Sequence, residues 1–420
     1  MDKSKERNPW IVFFGIIFTG VVFAADMFKA PPLMGLLAQL PGASSALVPW
    51  FMSAVSIIGI FLAFPAGGIM MKTGPKLLGT FSICVTMLGS IVGTFSVNAV
   101  MLIATRFVEG VGVGLIGVAA PAILAACFPP EKRGLPMSIW SCWVTIGILI
   151  IFNIPALLVD FSNADSWKNI WILIDVLFAA ALIIWIVLVK VPAAPPEPEM
   201  EAGGPAPSIK DVFKSIPAWC LALLFFLFGI GFGALTTFGT TFMTAPRFDF
   251  DPNYANFLIG TPLMVVMLAA GVIIGILLNV LKQHRSMIML IATIMNAIMF
   301  YFIFTFTQDM ALAFMIVGGL VFQLMPAIIF TVAPEAAPSP QTVGLTMGLI
   351  ITFQNIGGMG PGVMGSIIAL PDNPLYVGAA GPIPQYDWGL GTIFMIVFGV
   401  LAVLAAIVYF ISTKKKKVAA

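Results

Sequence analysis

The sequence predicts an all-α integral membrane protein: twelve transmembrane helices arranged as two pseudo-symmetric six-helix bundles. Three observations carry that expectation. Of 420 residues, 60% are hydrophobic and only 9% charged, with a mean hydropathy of +1.07, whereas an ordinary soluble domain carries roughly 25% charged residues. Apolar runs of about 20 residues, the length a helix needs to cross a hydrocarbon core of about 30 Å, recur along the whole chain. Short motifs also repeat in the same order at an offset of about 210 residues. Pro121-Ala122-Ile123-Leu124, Pro130-Glu131, Gly134-Leu135-Pro136-Met137 and Ile146-Gly147 answer to Pro326-Ala327-Ile328-Ile329, Pro334-Glu335, Gly344-Leu345-Thr346-Met347 and Ile356-Gly357.

Taken in order, spans are expected near 10–30, 45–70, 77–96, 99–127, 136–159 and 169–190, then near 217–243, 255–280, 287–306, 311–333, 343–369 and 389–412. The start, Met1 to Arg7 followed by an apolar run, reads as an uncleaved first span. Ser44 and Ser45 are expected N-caps of the second span, and Pro217 suits the first turn of the seventh. Residues 191–216 are rich in Pro, Glu, Gly and Ala and read as a flexible cytoplasmic linker between bundles at 1–190 and 217–420. With the N-terminus inside, sixteen of the twenty Lys and Arg residues fall on one face. That bias predicts cytoplasmic termini and an even number of spans in a cell membrane. Cys84, Cys127, Cys142 and Cys220 show no paired spacing, so no disulfide framework or zinc site is expected. A net charge of +2 gives no field for nucleic acid.

These features together resemble the major facilitator superfamily of secondary transporters. Gly67-Gly68-Ile69-Met70-Met71-Lys72-Thr73-Gly74-Pro75-Lys76 is similar to that family's loop motif after the second span, except that Met71 stands where the family usually has Asp. Lys282-Gln283-His284-Arg285 is its second-half counterpart without the glycines. Arg106-Phe107-Val108-Glu109-Gly110-Val111-Gly112 is similar to the family's fourth-helix pattern, and Trp167-Lys168-Asn169-Ile170-Trp171 to a feature opening the sixth. The resemblance implies a cavity between the halves, lined mainly by the first, fourth, seventh and tenth helices, with the halves rocking about a midplane site. Gly67, Lys72, Gly74, Lys76, Gly110 and Gly112 would then serve the conformational change.

Charges inside a membrane are costly and need a partner, water or a function. Asp26 lies roughly 24 Å from the inner surface and Arg106 roughly 9 Å below the outer one, at about 1.5 Å per helical residue. They are expected at similar depth facing the cavity, as a pair that substrate or a proton can break. Glu109, three residues after Arg106, is a competing partner or a proton carrier. Lys29 either pairs locally with Asp26 or extends its stem to the outer interface. Asp175 is expected outside the cavity in a structural role, and Glu335 in a solvated loop. Thr236, the repeat counterpart of Asp26, with Thr237, Gln323, Gln354 and Asn355, offers hydrogen-bonding groups that are either cavity-facing or bonded to their own helices. Trp140 and Trp143 are expected in the core.

Gly112-Val113-Gly114-Leu115-Ile116-Gly117 fits a nucleotide-loop pattern but follows no strand, and the lone histidine, His284, joins no catalytic set. An enzyme is not expected, nor any cofactor or metal. The favoured function is secondary transport of a small polar solute, an organic or inorganic anion such as a carboxylate given Arg106 and Lys29, coupled to a proton or counter-solute. Drug/H+ antiport and a transporter-like sensor are the alternatives. The partners expected are that solute, the coupling species and lipid, around a monomer.

Overall fold

The computed structural model describes residues 8–129, 132, 134–191, 209–339, 342–370, 376–378 and 381–419. All twelve expected positions are helical. We number the main helix of each span: α1 Pro9–Met27, α2 Trp50–Thr73, α3 Pro75–Thr94, α4 Ala99–Cys127, α5 Trp143–Asn153, α6 Lys168–Leu188, α7 Ile216–Thr244, α8 Met264–Val280, α9 Arg285–Phe302, α10 Ala311–Ala336, α11 Val343–Gly358 and α12 Trp388–Ala419. Among the described residues, nine helices are long and apolar enough to cross a membrane by length and composition.

Of the other three, the second has its apolar stretch at Trp50–Leu62, and the fifth and eleventh are broken. Gly134–Trp140 and Pro155–Leu158 flank α5, and Gly360–Ile368 follows α11 across Met359, with Pro361 in its first turn. Proline removes a backbone donor and crowds the preceding turn, so the breaks at Ile154 and Met359 have a local cause. The eighth span begins with Pro252–Leu258 and a π-turn at Ile259–Leu263 around Pro262.

Helix starts follow side-chain chemistry. Asn8 caps α1 by accepting from the Trp10 N–H at 3.0 Å, Asn98 caps α4 from Met101 at 2.8 Å, and Ser215 caps α7 from Ala218 at 3.4 Å. Pro217 lies in the first turn of α7, as expected. Gly74, at φ 79°, lets α2 turn directly into α3, a conformation that an L side chain would resist.

Three details of the chain go beyond the expected pattern. The second helix starts at Trp50; Ser44 instead accepts from Leu47 N–H in the preceding turn, because Pro49 fixes the helix boundary. The end of the 191–216 segment is a short helix, Ile209–Lys214, with Val212 buried, while residues 192–208 lie outside the described residues, as do Pro130 and Glu131. A two-stranded hairpin, β1 Tyr376–Gly378 with β2 Gly381–Ile383, interrupts the all-helical pattern between the last two spans.

The core of the first six spans gathers on α6, whose Trp167, Trp171, Phe178 and Trp185 are fully buried. Phe178 meets Phe23 of α1 edge to face at 5.1 Å. The two halves are joined at one end by side-chain hydrogen bonds. Trp50 donates to Ser366 at 2.9 Å, Gly362 N–H to Ser53 at 2.8 Å, Asn256 to the Pro32 carbonyl at 3.1 Å and Tyr386 to the Ser45 carbonyl at 2.8 Å. Thr261 completes the seam by donating to Asn153 at 3.1 Å.

Candidate functional site

The end of α1 with the residues just after it, and the first third of α4, bring four charged side chains together, each with no solvent exposure: Asp26, Lys29, Arg106 and Glu109. Lys29 Nζ lies 2.7 Å from Asp26 Oδ1 and 3.3 Å from Glu109 Oε1, and donates to the Ser90 hydroxyl of α3 at 2.9 Å. Its ammonium also stands 4.6 Å from the ring centroid of Trp171 on α6, a cation–π contact. Arg106 pairs with Glu109, one helical turn away, and its Nη1 is 3.9 Å from Asp26 Oδ1.

Arg106 does more than neutralise charge. Its Nε donates to the Phe51 carbonyl at 2.8 Å, Nη1 to the Asp26 carbonyl at 3.0 Å and Nη2 to the Met27 carbonyl at 2.7 Å. Asp26 and Met27 end α1, where the helix leaves carbonyls without internal partners. The guanidinium therefore caps α1 and ties it to α2. The loop that follows, residues 28–49, is the one that meets the second half through Pro32 and Ser45. Charge and seam share one short stretch of chain.

The expected Asp26–Arg106 and Arg106–Glu109 pairings are both present. One expectation is corrected. The four charges lie inside the first bundle, packed against α3 and α6, rather than on an open cavity wall. Of the two alternatives for Lys29, the structure has the local pair with Asp26, since two buried acids offer a desolvated ammonium more than the membrane surface does. Asp175 is also nearer the cluster than the sequence suggested: Thr94 of α3 donates to its Oδ2 at 3.0 Å. Glu335 is not in a loop but near the end of α10, paired with Arg285.

The second-half candidates are dispersed. Thr236 donates to the Phe232 carbonyl of its own helix at 3.0 Å, and Thr237 is buried beside it with no partner for its hydroxyl. Gln323 lies against Gly271 of α8, and Asn355 against Gly59 of α2, across the halves; Gln354 is half-buried near Gly229 of α7. Of the conformational candidates, Gly67 lies within α2, Lys72 is exposed, and Lys76 donates to the Ile186 carbonyl at 3.3 Å. Gly110 and Gly112 sit where any side chain would strike Val55 O and Thr86. Trp140 and Trp143 stack at 5.4 Å, with Trp140 buried against Gly20. Ser90 and Thr94, which complete the cluster with Trp171 of the motif that opens the sixth helix, carry no mark in the sequence that separates them from other helix-packing residues.

A family model described as the Major Facilitator Superfamily matches residues 13–361. The chain belongs to that family. It is therefore a multi-pass membrane transporter in fold and family. Among curated proteins, it is 26% identical to the arabinose-proton symporter of Escherichia coli strain K12 over 193 residues, 46% of this chain and 40% of that one. It is 25% identical to the galactose-proton symporter of the same strain over 184 residues, 43% of this chain and 38% of that one. The matched region thus spans less than half the length of these relatives. Among solved structures, a bacterial homolog of the human lysosomal transporter Spinster, inward-facing and unoccupied, aligns with TM-score 0.77 at 14% identity over 98% of both chains. The nucleoside transporter NupG aligns with TM-score 0.73 at 15% identity over 95% of this chain and 100% of that one. Both share this chain's fold.

Proposed function

We propose that this transporter moves a small uncharged polar solute, of the sugar class, across a cell membrane by alternating access, driven by protons. The observation that carries this is the buried four-charge cluster and its hold on the closed seam. Two cations face two carboxylates, so the cluster's formal charge cancels and no cation is left over for an anionic solute. The carboxylate-type substrate suggested by Lys29 and Arg106 has no support in this arrangement. The printed activities of the arabinose and galactose relatives favour the same reading.

Protonating Asp26 or Glu109 removes one negative charge and leaves Arg106 and Lys29 in excess. A buried unpaired charge costs several kcal/mol, so the cluster rearranges. Arg106 is bonded to the carbonyls that end α1 and begin α2, and its movement loosens the loop that holds the seam. Proton binding is thereby linked to opening of that end, and return of the proton to closure. With both termini and most Lys and Arg residues on the cytoplasmic face, the closed seam is the outer gate. The unit boundaries proposed are bundles at 1–190 and 217–420 acting as a monomer.

The test is uptake into proteoliposomes under an imposed pH gradient, with labelled sugars, small carboxylates and lipophilic cations offered separately. Accumulation of a sugar with the proton flux is expected, and Asp26→Asn is expected to abolish accumulation while downhill exchange persists. Accumulation of carboxylates alone, or proton-driven extrusion of lipophilic cations alone, would replace this reading with anion transport or drug antiport.

A further inference from the structure

Behind the cluster, polar groups continue through the first bundle to its outer rim. Ser90, which accepts from Lys29 Nζ at 2.9 Å, also lies beside Asp175. Asp175 Oδ2 accepts from Thr94 at 3.0 Å. Thr94 in turn lines a pocket of about 560 Å³ bounded by Leu40, Ser96, Asp165, Lys168 and Ile172 among others. Along this line, Asp26 Oδ2, Asp175 Oδ1, the Trp171 indole N–H and the Ser96 hydroxyl are buried with no hydrogen-bond partner among the described residues. Buried polar atoms are almost always partnered, and a row of unpaired ones beside a pocket is suited to hydrogen-bond water drawn in from it.

The charge count points the same way. Asp26, Glu109 and Asp175 are three carboxylates, against the two cations Lys29 and Arg106. The third carboxylate, Asp175, is the one in excess, so a resident proton is electrostatically favoured there while the two cations and two carboxylates of the cluster stay balanced. The groups facing Asp175 are Lys29 and Asp26 from the end of α1, the Ser90 and Thr94 hydroxyls from α3, and Glu109 and Arg106 of α4 beyond Lys29. At the pocket, its own helix contributes Lys168, paired with Asp165 at 2.6 Å.

We propose that Asp175 is a proton-relay residue connecting the charge cluster to the rim pocket, so that protons enter the first bundle by a path separate from the solute's path between the halves. The proposal rests on the proton-coupled reading above. A hydronium ion in the pocket protonates Asp175 and is left as water. Lys29 passes a proton from Nζ to Asp26 or Glu109 and regains one from the Ser90 hydroxyl, which is replenished by Asp175. Each hop breaks one O–H or N–H bond and forms another, and the net result is one proton moved from pocket to cluster with Lys29 again an ammonium.

The experiment is the transient current produced by a pH step on solute-free proteoliposomes adsorbed to a capacitive sensor. Wild type is expected to give a transient that Asp26→Asn largely removes. Thr94→Val, which deletes the hydroxyl and no carboxylate, and Asp175→Asn are expected to slow it about tenfold or more. Thr94→Ser, which keeps the hydroxyl, is expected to retain the wild-type rate, excluding a folding defect at that position. Wild-type rates in both Thr94→Val and Asp175→Asn, with Asp26→Asn still impaired, would overturn the relay and leave proton coupling standing. No transient in wild type would overturn both.

Discussion

The same fold, used twice in one chain, holds two different interiors. At the repeat offset, 210 residues for the first helix and 205 for the fourth (Pro121 to Pro326), the counterparts of Asp26, Lys29, Arg106 and Glu109 are Thr236, Gly239, Ala311 and Phe314. The first bundle buries four charges and pairs them with one another, with backbone carbonyls and with Ser90 and Trp171. The second buries hydroxyls bonded to their own helix and stacked aromatics, such as Phe228 and Phe232 at 5.7 Å. Repeat symmetry therefore fixes where helices go and leaves open what each half does. Under the proposed proton coupling, the first half is the one that responds to charge. Both halves supply hydrogen-bonding groups to the seam, so a change in the first half has something to move.

The largest expected difference between the halves is in stability. Arg106→Leu leaves Glu109 and Asp26 with Lys29 alone and removes the guanidinium bonds to the Phe51, Asp26 and Met27 carbonyls. Removing one partner of a buried ion pair costs about 3–5 kcal/mol. A large fall in the unfolding midpoint in detergent is expected, whereas Thr236→Val in the second half should cost about 1 kcal/mol or less. Equal losses at the two positions would erase the contrast.

A smaller and symmetric effect is expected where the halves agree. Gly110 approaches the Val55 carbonyl of α2, and Gly357 the Phe226 carbonyl of α7, so that an added Cβ would lie 2.4 Å and 2.3 Å from the respective oxygens. Gly110→Ala and Gly357→Ala should each cost about 1–3 kcal/mol by forcing the helices apart, measured as loss of thermal stability. Gly117→Ala is the control: no atom lies within 4 Å of its added Cβ, and alanine is the better helix former by about 1 kcal/mol.

The sequence revealed much of this, and the limits have physical causes. Helix positions were legible because hydrocarbon allows few alternatives for a spanning backbone. The Arg106–Glu109 pair was legible from one-turn spacing, and the Asp26–Arg106 pair from depth. The burial of the cluster was not, because depth along a helix says nothing about which way a side chain faces. Lys29 was ambiguous for the same reason: its stem is long enough for either direction. Ser90 and Thr94 were invisible, since a helical serine or threonine reads as a backbone-bonded residue whether or not a carboxylate waits across the interface. The helix break at Met359 is easy to explain afterwards, but Gly and Pro are common in membrane helices and do not by themselves announce one.

The smallest expected effect lies in the loop between α5 and α6, where a carboxylate can be compared with the buried ones under full solvation. Asp160 is exposed and accepts from both the Ser162 N–H at 2.9 Å and the Ser162 hydroxyl at 2.6 Å. These bonds hold its carboxyl below the ordinary aspartate range. A depressed folded value means that its contribution to stability is present at neutral pH, above the unfolded value, and is lost as pH falls through the folded one. Ser162→Ala, which removes the hydroxyl, should move the Asp160 titration upward toward its ordinary value, as read by carboxyl-carbon NMR on selectively labelled protein. The pH-step current should not change, because this carboxylate touches neither the cluster nor the pocket residues. A shifted current would mean that the first half's response to protons begins at its surface loops rather than in its interior.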